Sequence, residues 1–143
     1  MKTASWIILL IAGALMLLGS LISLGRAYMS PQDRIGSANL SELSAGRPDV
    51  ATAVRARRAT AAAYAAGFAT LFLAIILGPY RKGNVWAWWA LSAGTLVASG
   101  LSLLRVPFLD TQVGAAVALV QLVFVGLGLA LGAGRLGGNR PTG

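Results

Sequence analysis

Four stretches of this chain, residues 3–25, 59–80, 83–104 and 111–134, contain no charged side chain. Each comes close to the ~20 residues with which a helix crosses the ~30 Å of hydrocarbon in a bilayer. A soluble fold of 143 residues needs helices with one polar face, and these runs offer none. Apolar residues make up 57% of the chain, and its mean hydropathy is +0.73. The expected architecture is all-α and polytopic: four transmembrane helices in an up-down bundle, forming one domain over residues 1–143. The helices are expected at about 5–24, 48–78, 85–104 and 112–134, with a long first connection over 26–47.

Cysteine and histidine are both absent. Zinc sites of the Cys/His type, thiolate-held iron–sulfur clusters, histidine-ligated haem and dithiol redox chemistry therefore lose their ligands. No cofactor, metal or catalytic residue is expected. The four acidic residues, Asp33, Glu42, Asp49 and Asp110, all lie outside the uncharged runs. A proton relay or cation site at the bilayer midplane needs an ionisable group there, which argues against a pump acting alone. The net charge of +8 sits at the ends of apolar helices. That placement suits anionic lipid headgroups and membrane topology, and no nucleic-acid partner is expected.

The apolar run that follows Lys2 is longer than the core of a secretory signal, and no Ala-x-Ala pattern follows it. It reads as a retained first helix that ends at Gly25-Arg26. The first connection carries two helix-start signals. Ser30-Pro31-Gln32-Asp33 matches a capping box with Pro at the first helical position, and Asn39-Leu40-Ser41-Glu42 offers Asn as a cap. Short interfacial helices are expected there. From Pro48 nothing interrupts a helix until Gly78-Pro79, a tight turn then surrounds Arg81-Lys82-Gly83-Asn84, and the third helix should end before Pro107. Both termini fall on one face. They share it with the 81–84 turn, whose paired cations favour cytoplasmic termini, although the opposite face carries more arginines.

Small residues recur every four positions on three helices: Ala62, Ala66, Thr70, Ala74 and Gly78; Ala90, Gly94, Ala98 and Ser102; then Gly126, Ala130 and Gly134, with Gly128 and Gly132 on a neighbouring line. Such rows let backbones approach closely in lipid, either within the bundle or against a partner. Gln121 is the one strongly polar side chain near the middle of a run. It either touches a substrate or bonds across helices to Ser99, Thr95 or a carbonyl. Tyr80, Trp86, Trp88 and Trp89 read as headgroup-level anchors, with a ligand cage as the alternative. Arg55, Arg57 and Arg58, with Arg81 and Lys82, are candidates for a lipid headgroup or another anionic ligand. Arg105 and Asp110 flank Pro107 and are placed to pair.

The segment from Gly78-Pro79-Tyr80-Arg81-Lys82-Gly83-Asn84 through Val85-Trp86-Ala87-Trp88-Trp89-Ala90-Leu91 resembles a turn of small four-helix bacterial membrane proteins of the DoxX-like and related DUF type. That resemblance implies the fold and a bacterial inner (cytoplasmic) membrane. A second, partial resemblance is to the MAPEG family of glutathione-using membrane enzymes, through Pro48-Asp49, Arg55-Ala56 and the 68–73 region. The Asn and Glu of that family's second helix fall here at Ala59 and Ala62, so no catalytic residue carries over. Three functional expectations remain. The first is a non-catalytic accessory, assembly or structural subunit that docks to a protein partner or a second copy. The others are a lipophilic-ligand-binding protein or MAPEG-like transferase with a headgroup-level basic pocket at Arg55, Arg57 and Arg58, and an oligomeric channel or transporter lined by Gln121 and the hydroxyls of the third helix.

Overall fold

The computed structural model describes residues 2–29, 34–35, 38–45, 47–109 and 114–135. Helix α1 (Lys2–Met29) is followed by a two-residue ladder, β1 (Arg34–Ile35) with β2 (Ala38–Asn39), and the short α2 (Leu40–Leu43). Helix α3 (Pro48–Ile75) continues into a π-helical turn, Ile76–Tyr80. After it come α4 (Val85–Leu103), α5 (Arg105–Leu109), α6 (Ala115–Gly132) and a closing 3₁₀ turn, Ala133–Arg135. The fold is all-α, and four of its helical segments are long and apolar enough to cross a membrane: Thr3–Met29, Pro48–Tyr80, Val85–Phe108 and Ala115–Gly132. At 1.5 Å per residue the second, 33 residues long, reaches about 50 Å and exceeds the hydrocarbon core. Leu15, Leu71, Leu96, Val117 and Val123 are all exposed, as lipid-facing side chains of such helices would be.

Several boundaries differ from expectation for local reasons. Gly25 does not end α1, which runs on to Met29. A single glycine costs a helix about 1 kcal/mol, and Arg26 in the last turn complements the helix dipole. Helix α4 does end before Pro107, at Leu103, but Pro107 belongs to a further, unexpected short helix. It lies in the first turn of α5, where backbone N–H groups have no intrahelical acceptor to lose. In the first connection, the capping box at residues 30–33 lies outside the described residues. The two residues that follow it, Arg34 and Ile35, pair antiparallel with Asn39 and Ala38 and are not helical. Helix α2 does begin directly after Asn39, which is extended, as a cap residue should be. Its side chain does not cap, because its amide donates instead to Glu42 Oε1 at 3.0 Å.

The chain divides into two compact units, residues 1–13 with 71–143, and residues 14–70. In the first, α4 lies beside α6 and the π-helical turn. The core there holds Leu9, Ile76, Tyr80, Ala87, Leu91 and Val125. Two contacts, one from α4 and one from the start of α5, set this stretch antiparallel to α6. The Trp88 indole Nε1 donates to the Leu129 carbonyl at 2.9 Å. Near the other end, Arg105 Nη2 lies 3.4 Å from where a Cβ on Gly114 would stand. The second unit buries Ala27, Leu40, Ala59, Ala62 and Ala69. Thr52, Thr60 and Thr70 on α3 return their hydroxyl protons to the carbonyls of Pro48, Ala56 and Ala66. A hydroxyl on a membrane helix is thereby satisfied without a partner helix.

Candidate functional site

The most tightly built part of the molecule is a junction inside the first unit, where the start of α1, the π-helical turn and the end of α6 meet. Pro79 rules out a regular α-helical turn at this point. It has no N–H, and in a regular helix its ring would strike the carbonyl of Ile75. The helix widens instead, and bonds of i→i+5 type appear: Arg81 N–H donates to the Ile76 carbonyl at 3.1 Å, and Asn84 N–H to the Pro79 carbonyl at 3.0 Å. Within this widened turn Tyr80 is wholly buried. Its hydroxyl lies 2.6 Å from Ser5 Oγ, and Ser5 Oγ donates to the Gly128 carbonyl at 2.7 Å. Ser5 is also fully buried.

Glycine makes the junction possible. A Cβ on Gly132 would collide with the Tyr80 hydroxyl and lie 2.8 Å from Ser5 Oγ. One on Gly128 would lie 2.7 Å from Leu9 Cδ2, and one on Gly13 2.7 Å from Leu73 Cδ2. By contrast, a Cβ on Gly126 or Gly134 would meet nothing within 4 Å, and Gly126, Ala130 and Gly134 are all exposed. The small residues of α6 thus do not form one face. Residues two apart on a helix are turned by about 200°, so the lines through Gly128 and Gly126 lie on opposite sides and are not neighbours. One line is filled from within the fold; the other is open.

The cations divide in a similar way. Arg55 and Arg58 lie one turn apart on α3, are half-buried, and each engages a neighbouring group. Arg57 points elsewhere on the helix and is exposed. The trio does not converge on one point. Arg81 and Lys82 are both exposed in the turn after Tyr80, with the Arg81 guanidinium carbon 5.2 Å from the centroid of the Trp6 ring. Of the aromatic residues expected at headgroup level, Trp86 and Trp89 are exposed, Trp88 is half-buried and tied to Leu129, and Tyr80 is enclosed by the junction. The Trp88 and Trp89 rings meet edge to face, with centroids 4.9 Å apart.

Gln121 is half-buried on α6, between the buried Ala118 and Val125. It does not bond to Thr95 or Ser99, whose hydroxyls have no hydrogen-bond partner. Asp110 lies outside the described residues, and Arg105 donates through Nε to the Ser102 carbonyl at 3.3 Å. The sequence reading missed Ser5, Trp6 and Gly13. Ser5 sits at the edge of an apolar run that also holds Ser20 and Ser23, and nothing in its local sequence separates it from them. No protein-family model, curated protein or solved structure matches the chain.

Proposed function

We propose that this protein is a non-catalytic subunit of a membrane complex, acting in assembly or as an accessory chain, and that it docks a transmembrane helix of another polypeptide against the outer line of α6. The observation that carries this reading is the contrast between the two sides of that helix. Gly128 and Gly132 are occupied by Leu9, Ser5 and Tyr80, whereas Gly126, Ala130 and Gly134 stand open. An open small-xxx-small line lets a second backbone come close, and in lipid close packing is the main force between helices. Arg81 and Lys82, with Trp86 and Trp89, would hold this unit at the headgroup level of anionic lipids. The setting we favour is a bacterial inner membrane with both termini cytoplasmic, to be checked by protease protection of terminal tags in sealed vesicles.

The geometry supplies a selective test. Gly126→Ile and Ala130→Ile place bulk in open space and should leave the fold intact. After gentle solubilisation the wild-type chain should co-purify with a distinct polypeptide in fixed stoichiometry, and the double variant should lose it at unchanged thermal stability. Recovery of the wild-type chain alone, or only with copies of itself, would overturn the reading.

A further inference from the structure

The middle of the α4–α6 seam holds two buried hydroxyls that the fold does not use. Ser92, Thr95, Ser99 and Ser102 share one face of α4, spaced three or four residues apart. The outer two are satisfied: Ser92 donates to the Trp88 carbonyl at 2.8 Å and Ser102 to the Ala98 carbonyl at 2.7 Å. The inner two are not. Thr95 and Ser99 are each only 2% exposed, and neither hydroxyl oxygen has a hydrogen-bond partner. Back-bonding to the preceding turn is open to any helical Ser or Thr, as Ser20, Thr52, Thr60 and Thr70 demonstrate in the same chain.

The antiparallel register brings a third polar group to the same level. With Trp88 beside Leu129 at one end and Arg105 beside Gly114 at the other, Thr95 and Ser99 fall opposite the part of α6 that contains Gln121. Gln121 lies one turn from the buried Ala118 and Val125 on α6 yet is itself half-buried, at the margin of the packed face. Leu96, Val120 and Phe124 nearby are all exposed. Anything that reaches this edge therefore arrives through an apolar surface.

We propose that Thr95, Ser99 and Gln121 form an intramembrane binding site for a neutral lipophilic molecule whose headgroup carries a carbonyl oxygen. The chemistry follows from the groups. All three are uncharged, so nothing there would compensate a buried ion. The two hydroxyl protons and the amide N–H are donors, and the two hydroxyls are without a partner within the fold. A carbonyl is the simplest acceptor that an apolar chain can carry into hydrocarbon. This site is separate from the outer line of Gly126, Ala130 and Gly134.

The test uses the full-length protein in phosphatidylcholine nanodiscs, with methyl nonyl ketone as the probe and undecane as its carbonyl-free counterpart. The wild-type protein should show a saturable infrared carbonyl band shifted to lower wavenumber by hydrogen bonding, and undecane should not compete for it at equal concentration. Thr95→Val with Ser99→Ala should weaken binding by about tenfold or more while leaving thermal stability equal or higher. Gln121→Leu, at a half-buried position, provides an independent variant should the double substitution perturb folding, and should also weaken the band. Absence of a saturable shifted band with wild-type protein, or an equal band in well-folded variants, would overturn the site. Gly126→Ile should keep the band, which separates this site from partner docking.

Discussion

The hydroxyl of Tyr80 and the Oγ of Ser5 lie 2.6 Å apart although 75 residues separate them in the chain. Ser5 holds two partners at once, since it also donates to the Gly128 carbonyl. The two residues should therefore differ on substitution. Ser5→Ala removes both the contact with Tyr80 and the bond to Gly128 and should cost ~1–3 kcal/mol. Tyr80→Phe leaves Ser5 bonded to Gly128 and should cost about 1 kcal/mol. Chemical unfolding in mild detergent should rank Ser5→Ala as the less stable variant; the reverse order would show that the Tyr80 hydroxyl contributes more than its contact with Ser5.

Gly132→Ala and Gly126→Ala are the same chemical change on opposite sides of α6. At Gly132 the new methyl meets Tyr80 and Ser5 oxygens, and overpacking of this kind costs ~1–3 kcal/mol. At Gly126 it meets nothing, and replacing a helical glycine with alanine should stabilise by ~0.5–1 kcal/mol. Opposite shifts in melting temperature are the expected result.

Gly83 has a φ of +88° in the turn between the π-helical turn and α4. A Cβ there would touch nothing, so the cost of Gly83→Ala is conformational alone, about 1–2 kcal/mol. Asn tolerates the left-handed region better than Ala, so Gly83→Asn should recover part of that loss in the same melting experiment.

Within the arginine trio, Arg57→Gln and Arg55→Gln should separate lipid contact from packing. Arg57 is exposed, so its loss should leave stability within ~0.5 kcal/mol and lower retention of anionic lipid in native mass spectrometry. Arg55 is half-buried and engaged with a neighbour, so Arg55→Gln should lower the melting temperature as well. Lys82→Gln should resemble Arg57→Gln. A headgroup-level cation contributes about 1 kcal/mol toward anionic lipid, or roughly a fivefold preference.

The four apolar helices were legible because charge exclusion over some twenty residues is a one-dimensional signal. So was the turn around Gly83, where a glycine between paired cations and an aromatic cluster marks a sharp exit. The junction was not legible. Pro79 announces a break, yet whether a proline ends a helix or widens it depends on what waits for the next side chain. Here Ser5 and Gly132 wait for Tyr80, and that is a three-dimensional fact. The small residues of α6 could be counted in the sequence, but their division into a filled line and an open one depends on which side Leu9 packs against. Thr95 and Ser99 were visible as hydroxyls near Gln121. That they bond neither to it nor to the preceding turn could only be seen in three dimensions.

The Ser5 junction also bears on how the molecule is made. Ser5 is synthesised 123 residues ahead of its acceptor, Gly128. The start of α1 therefore reaches this partner only once α6 is in place. Insertion of α6 is then the step that closes the junction.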